Sequence, residues 1–554
     1  MGTLGMRGLV GKIESGRGSC KSTPGGILEV IMTVEKYEYD EILRDLVLGN
    51  PVAEFDSSLD DARVETPTFE GVFNDEFDIV TGRKGAGKTA IFRLISHELS
   101  QYFLIQRRTV ILSGVNPSGE SIFNQFISDF KTFDEIDFEN FWKLYTITLI
   151  YNQFINNKAY ETYLAECGDE ITQFKRACSA AGIPDIKAGM SRKEMVQWVL
   201  SVFKRINFKG SVASDANNPT LFMFAGELSI TPETKKEKRE KTSLYVEEIG
   251  EAIKHILEKS NLKVWIVLDR LDEVFERFSM VEFNGLRGLL RTYKSFELSG
   301  KSDYLKIKIF LRDDIKDFLT NAKIFNEHYP KKTMSPLPAA THIFAKESPV
   351  LTWTKEEIEQ LILLRLLISK KLKKHLGISV DLDRHQVSAL VSSPEDRKKY
   401  WNMIFPTKMA NLTSLDWIFT RLKDSNGVVT PRSIIDMLNG AKDYQKKNMI
   451  TNFQDATDIF PQEAIKAGIE VASKNKLELD ILSEFPLLQP KIKALGAYGH
   501  YKLSKLDLMT LYQEDYEKVA ESLRRIGVLR YVQSSQEYRI EFVYRPALKI
   551  AYRY

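Results

Sequence analysis

Gly82-Arg83-Lys84-Gly85-Ala86-Gly87-Lys88-Thr89 is the stretch that decides the fold of this 554-residue chain. It fits G-x-x-x-x-G-K-[ST], the spacing of a phosphate-binding loop. Its flanks fit as well. Phe77-Asp78-Ile79-Val80 reads as a strand leading in, and Thr89–Ile95 as a helix leading out, with Ile91, Leu94 and Ile95 on one face. Glycines let backbone N–H groups curve around phosphate oxygens with no Cβ in the way. The helix N-terminus adds the positive end of its dipole. Gly82, Arg83, Lys84, Gly85, Ala86, Gly87, Lys88, Thr89 and Ala90 are therefore the candidate nucleotide-binding residues. Lys88 can reach the β- and γ-phosphates, and the Thr89 hydroxyl can ligate Mg²⁺.

Such a loop needs a carboxylate beside it. Lys263-Val264-Trp265-Ile266-Val267-Leu268-Asp269 is an apolar strand ending in an aspartate, and Arg270-Leu271-Asp272-Glu273 follows at once. A buried strand that delivers a carboxylate at its C-terminal edge suits a Mg²⁺-bound phosphate site. Asp269 is the candidate metal ligand. Glu273, or Asp272, is the candidate general base for an attacking water.

Composition narrows the class. Apolar residues make up 43% and charged residues 28%, as in soluble globular chains. A net charge of +3 creates no global field toward nucleic acid or membrane. Cys20, Cys167 and Cys178 form no metal or disulfide spacing, which suits a reducing, cytoplasmic compartment. No apolar run is long enough to span a bilayer, so no membrane association is expected. The seven histidines are scattered and form no metal or nucleophile constellation.

The length suggests two to four domains. Residues 1–32 are rich in Gly and Ser and read as a disordered tail; translation from Met32 would also account for them. Residues 33–118 form the first half of an α/β core, with a short helix around 39–48 and a second strand at Thr109–Leu112. Residues 119–245 read as a mostly helical insertion, with Phe138–Phe154 helical and 219–230 a strand pair or extended segment. Lys235–Lys241 is a solvated loop or helix start rather than a nucleic-acid patch. Residues 246–350 complete the core, with a helix at Phe283–Tyr293 and a strand at Leu305–Leu311 that ends at Arg312.

Residues 351–450 read as a helical lid. Thr354-Lys355-Glu356-Glu357 is a capping box opening a helix through Leu367, and Lys370–His375 continues that helix as a solvated basic end. Pro431 suits a first helical turn. Residues 451–554 end in a helix at Asp515–Ile526, Gly527, and strands at Val528–Val532 and Tyr538–Val543, in the order of a winged helix.

This order of motifs resembles the STAND branch of AAA+-related ATPases, parts of which are shared by NACHT, KAP and origin-recognition-type proteins. The stretches Gly82–Ala90, Phe310-Leu311-Arg312-Asp313-Asp314-Ile315 and Leu351-Thr352-Trp353-Thr354 are similar to a group of bacterial P-loop ATPases linked to anti-phage or conflict systems. The resemblance covers about 75–445 without 119–245. It implies that Arg312 is a sensor arginine bonding the γ-phosphate; the plainer reading is a strand-end partner of Asp313 or Asp314. It implies that Arg432 is a lid arginine reporting nucleotide state; the plainer reading is a solvated helix-start residue. Arg287 and Arg291, on one helical face, are candidate fingers toward a neighbouring subunit or, more plainly, a solvated stripe.

Other nucleotide-binding classes fit less well. Leu112-Ser113-Gly114 continues Val115-Asn116 and lies too early for an ABC signature, and Ser504-Lys505-Leu506-Asp507 is a poor guanine-reading motif in the wrong region. ATP with Mg²⁺ is the expected ligand. The leading expectation is an ATP-driven molecular switch acting as a homo-oligomer or with a partner effector or sensor. The alternative is a DNA-binding initiator or loader that sets Lys518, Arg524 and Arg525 on duplex DNA. A nucleotide-stabilised scaffold without turnover is the third reading.

Overall fold

A computed structural model describes residues 38–114, 127–180, 189–208, 235–273, 278–298, 303–451 and 458–550. The expectations for residues 1–32 and 219–230 lie outside this set. Four short strands form a parallel sheet: β1 (Ile79–Gly82), β2 (Thr109–Ser113), β3 (Lys263–Leu268) and β4 (Leu305–Arg312). Their order is β1-β4-β3-β2. Ile309 of β4 pairs with both Ile79 and Leu268, so β4 lies between the strand that enters the glycine-rich loop and the strand that ends at Asp269. Residues 347–351 extend the sheet on the free side of β1, where Ser348 N–H donates to Ile79 O at 2.8 Å and Leu351 N–H to Thr81 O at 2.7 Å.

Both faces of the sheet are covered, and β3 is accordingly apolar from Val264 to Leu268. β4 alternates at Lys306 and Lys308, whose ammonium groups pair with Asp75 and, for Lys308, also with Asp78. One face (Val80, Trp265, Val267, Phe310) packs on Ile91, Phe92 and Ile95 from α1 (Lys88–Arg93) and the turn after it. The other face (Ile79, Val264, Ile266, Ile309) packs on α2 (Glu135–Ile150), α3 (Arg192–Phe208), α4 (Lys235–Ser260) and α5 (Met280–Leu298). The described helices within 127–260 thus share one core with the sheet. Lys235–Lys241 forms the first turns of α4, the helix-start reading.

The C-terminal half has its own core. Residues 42–64 join it, through Ile42, Leu43, Leu46 and Leu48, although they precede the loop in sequence. A buried ion pair seals that joint: Arg365 Nη2 lies 2.6 Å from Asp56 Oδ2 and Nη1 donates to Leu48 O at 2.9 Å. The capping box at Thr354 and Glu357 opens α6 (Lys355–Leu366). Lys370–His375 does not continue α6. It is a separate helix capped by Ser369, whose Oγ accepts from Leu372 N–H, and Lys373 within it is buried rather than solvated. Pro431 opens α7 (Pro431–Thr451), which packs on α8 (Gln462–Asn475).

At the end of the chain, β5 (Lys502–Leu503), two helices, β6 (Leu529–Val532) and β7 (Glu537–Ile540) follow in order, with an antiparallel sheet β5-β7-β6. The second of those helices is α9 (Tyr516–Arg525). Gly527, at φ +89°, takes the left-handed turn between α9 and β6. No helix among the described residues is long and apolar enough to cross a membrane.

Candidate functional site

The C-terminal edge of the sheet gathers the expected residues. β1 ends at Gly82, and the loop turns through Gly85 (φ +79°) and Gly87 (φ +108°) before α1 begins at Lys88. Those two backbone angles exclude most side chains. The second constraint at Gly85 is space, because a Cβ there would stand 3.3 Å from Arg432 Cβ. Lys88 is nearly buried, and its ammonium donates to Gly82 O at 2.6 Å and Arg83 O at 2.8 Å. Burial pulls its pKa below the usual lysine range, while Asp269 and Asp272 oppose that shift.

Asp269 follows β3 and is 5% exposed. Burial pushes its pKa up to about 6; the Thr89 hydroxyl and the Lys88 ammonium pull the other way. Its Oδ2 is buried with no hydrogen-bond partner. An ionised oxygen left so is costly. A hard divalent cation shared with the Thr89 hydroxyl is the chemistry that would satisfy it. The donor set therefore fits Mg²⁺.

The chain leaves β3 through a left-handed residue, Arg270 at φ +56°, and a 3-10 turn over Leu271–Glu273. Non-glycine residues hold that conformation at a cost of about 1–3 kcal/mol, and such positions cluster at functional sites. Arg270 pairs with Glu54 and lies 3.5 Å from Glu273. The turn sends Asp272 toward Arg312, at 3.2 Å, and leaves Glu273 half-exposed at the mouth. Burial raises the Glu273 pKa, and Arg270 counters it.

Arg312, at the end of β4, is held by three carboxylates: Asp314 at 3.0 Å, Asp272 at 3.2 Å and Glu484 at 2.7 Å. Burial disfavours its charge, but these partners together favour it more strongly. The expected pairing with Asp314 is present. Asp313 instead faces Arg83 at 3.5 Å.

The remaining basic groups of the site also meet acids from the C-terminal half. Arg83 pairs with Asp424 at 2.9 Å, Lys84 with Glu484, and Arg432 with Asp480 at 2.7 Å. Arg432 is thus a bonded residue above Gly85, not a solvated one. Sequence reasoning missed Glu484, Asp480 and Asp424. Glu484 lies roughly 400 residues beyond Lys84, in a segment with no motif of its own.

The finger reading does not hold for Arg287 in this fold. The Arg287 side chain is fully buried, donates to Leu319 O at 3.1 Å and Pro336 O at 3.0 Å, and pairs with Glu135 at 2.9 Å. Arg291 pairs with Glu139 at 2.8 Å. Both tie α5 to α2; the buried Arg287 is neither a finger nor part of a solvated stripe, while Arg291 stays partly exposed beside Glu139. On α9, Arg524 pairs with Glu521, Arg525 grips Glu327 through both Nη atoms at 2.7 and 3.0 Å, and Lys518 is exposed.

Among known proteins, no family model matches this chain, and no solved structure matches it. The chain is similar to a protein of Escherichia coli (strain K12) described as "Putative transposon gamma-delta 80.3 kDa protein". The two are 25% identical over 269 residues, 48% of this chain and 34% of that protein. The chain therefore spans about a third of that relative's length.

Proposed function

We propose that this chain is an ATP-binding and ATP-hydrolysing molecular switch of the STAND or AAA+-like kind, with a P-loop at 82–89. One observation carries the reading: a glycine-rich loop with a buried lysine lies at the same sheet edge as a buried, unpartnered aspartate oxygen. Thr89 and Asp269 would hold Mg²⁺, which neutralises phosphate charge. Lys88 would leave its two loop carbonyls to meet the β- and γ-phosphates. Arg312 would donate to the γ-phosphate. Glu273, or Asp272 once freed from Arg312, would take a proton from the attacking water.

The switch is supported by what now occupies the basic groups. Glu484 gives one carboxylate oxygen to Lys84 and the other to Arg312. A γ-phosphate would compete with it for both cations. Asp480 on Arg432 and Asp424 on Arg83 are contested in the same way. ATP would thereby bias the C-terminal half between two placements.

We assign the switch to a bacterial defence or conflict system, in the cytoplasm, acting as a homo-oligomer or with an effector or sensor chain. A second reading rests on the helix, helix and two-strand order at 505–540, which suits a winged helix on DNA. The relative's name, a transposon protein, suits either setting.

Equilibrium binding of ATP, with and without Mg²⁺, tests the site. Asp269→Asn should abolish the Mg²⁺-dependent part of the affinity and leave the Mg²⁺-independent part. Identical Mg²⁺ dependence in the variant would refute the assignment.

A further inference from the structure

Trp353 touches the glycine-rich loop from outside every motif that defines it. Its indole Nε1–H donates to Ala86 O at 2.7 Å. A Cβ placed on Gly87 would stand 3.7 Å from the Trp353 ring. The ring therefore lies against the loop as well as bonding to it.

The bond has a geometric consequence. Every peptide bond among the described residues is trans. In a trans peptide the C=O and the following N–H lie in one plane and point in opposite directions within it. Holding the Ala86 carbonyl toward Trp353 turns the Gly87 N–H the other way. Gly85, Gly87, Lys88 and Thr89 line the cleft and Ala86 does not; Trp353 borders the same cleft, on the side to which the Ala86 carbonyl is held. No protein acceptor takes the Gly87 N–H among the described residues. Glycines can flip such a peptide at little steric cost, so the orientation needs a holder.

Trp353 is itself anchored on both sides. Leu351 is bonded to β1 through Thr81 O, and Thr354 caps α6. The indole is thus carried between a sheet edge and a helix start, and it links the C-terminal core to the loop.

We propose that Trp353 is a positioning residue for the phosphate loop: its indole N–H holds the 86–87 peptide so that the Gly87 N–H is directed at bound phosphate. This inference rests on the reading of 82–89 as a phosphate site. It concerns how the loop is held, not which nucleoside is bound.

The test uses the full chain and Trp353→Phe, which keeps an aromatic ring and removes the N–H. The probes are ATP and inorganic tripolyphosphate, which has no base or ribose. One hydrogen bond is worth roughly 0.5–1.5 kcal/mol net, which is about twofold to tenfold in affinity. Both ligands should weaken by the same factor in that range. In turnover, KM should rise by more than kcat falls, since the N–H contact serves ground state and transition state alike. A merely structural role would lower the active fraction and hence kcat, leaving KM in place.

Three results would overturn the inference. Weakened ATP with unchanged tripolyphosphate would make Trp353 a base or ribose contact. Unchanged binding of both would show that the loop holds itself. Rapid solvent exchange of the Trp353 indole N–H in the free protein, with the signal assigned by its loss in Trp353→Phe, would show that the bond is absent. If the unaltered chain binds neither ligand, the proposed function fails and this inference fails with it, a result distinct from the other three.

Discussion

Glu484→Gln should tighten ATP binding, and the structure sets the size of the effect. The Glu484 carboxylate spans Lys84 and Arg312 Nη1, the latter at 2.7 Å, and its side chain is 16% exposed. Buried hydrogen bonds to charged groups are worth about 1.5–3 kcal/mol each. Lys84 is 30% exposed and Arg312 keeps Asp314 and Asp272, so both contacts are discounted toward the values of solvent-screened pairs. About 1.5–2 kcal/mol remains for a γ-phosphate to overcome. Removing the charge should lower the Kd for ATP by about 10- to 30-fold. ADP lacks the competing phosphate and should change by less than about threefold. Calorimetric titration of both nucleotides into both proteins reads the difference directly. If ATP binds the variant no more tightly than the unaltered chain, or ATP and ADP gain equally, Glu484 does not compete with the γ-phosphate.

Glu273→Gln should retain ATP and Mg²⁺ and slow phosphate release by about 10²–10⁴, the usual general-base contribution; normal hydrolysis by this variant, with trapping by Asp272→Asn, would move the base to Asp272. Arg365→Ala should cost about 3–5 kcal/mol of stability in urea denaturation, because Asp56 is left charged and buried; a loss below 1 kcal/mol would contradict the buried pair. Burial raises the Asp436 pKa from 3.8 to about 6, with Asn475 and Arg432 opposing, so the folded chain holds that proton more tightly than the unfolded one. Stability therefore falls as pH rises from about 4 to 6, by roughly 3 kcal/mol, and stays lower above. Asp436→Asn should melt higher than the unaltered chain at pH 8 and nearly level with it at pH 4; parallel melting curves at both would contradict the assignment.

Local signals were readable and long-range pairings were not. The loop, the strand ending at Asp269, the strand ending at Arg312 and the cap at Thr354 each rest on spacing within about ten residues, and each lies where that spacing put it. Asp424, Asp480 and Glu484 carry no pattern. They matter only because folding brings them to Arg83, Arg432 and Lys84. Arg287 and Arg291 gave the i, i+4 spacing of an exposed stripe, yet α5 is enclosed by α2 on that side, and periodicity does not reveal what covers a face. The break before Lys370 lacked Gly or Pro; its one signal was Ser369, a good N-cap residue within a run of helix formers.

The central claim is that ATP is hydrolysed at the loop 82–89. Phosphate release from ATP by the purified chain, set beside Lys88→Ala, tests it most directly. The account predicts Mg²⁺-dependent release by the unaltered chain and its loss in the variant, because Lys88 is the main cation available to the β- and γ-phosphates. Equal release by the two proteins would contradict it.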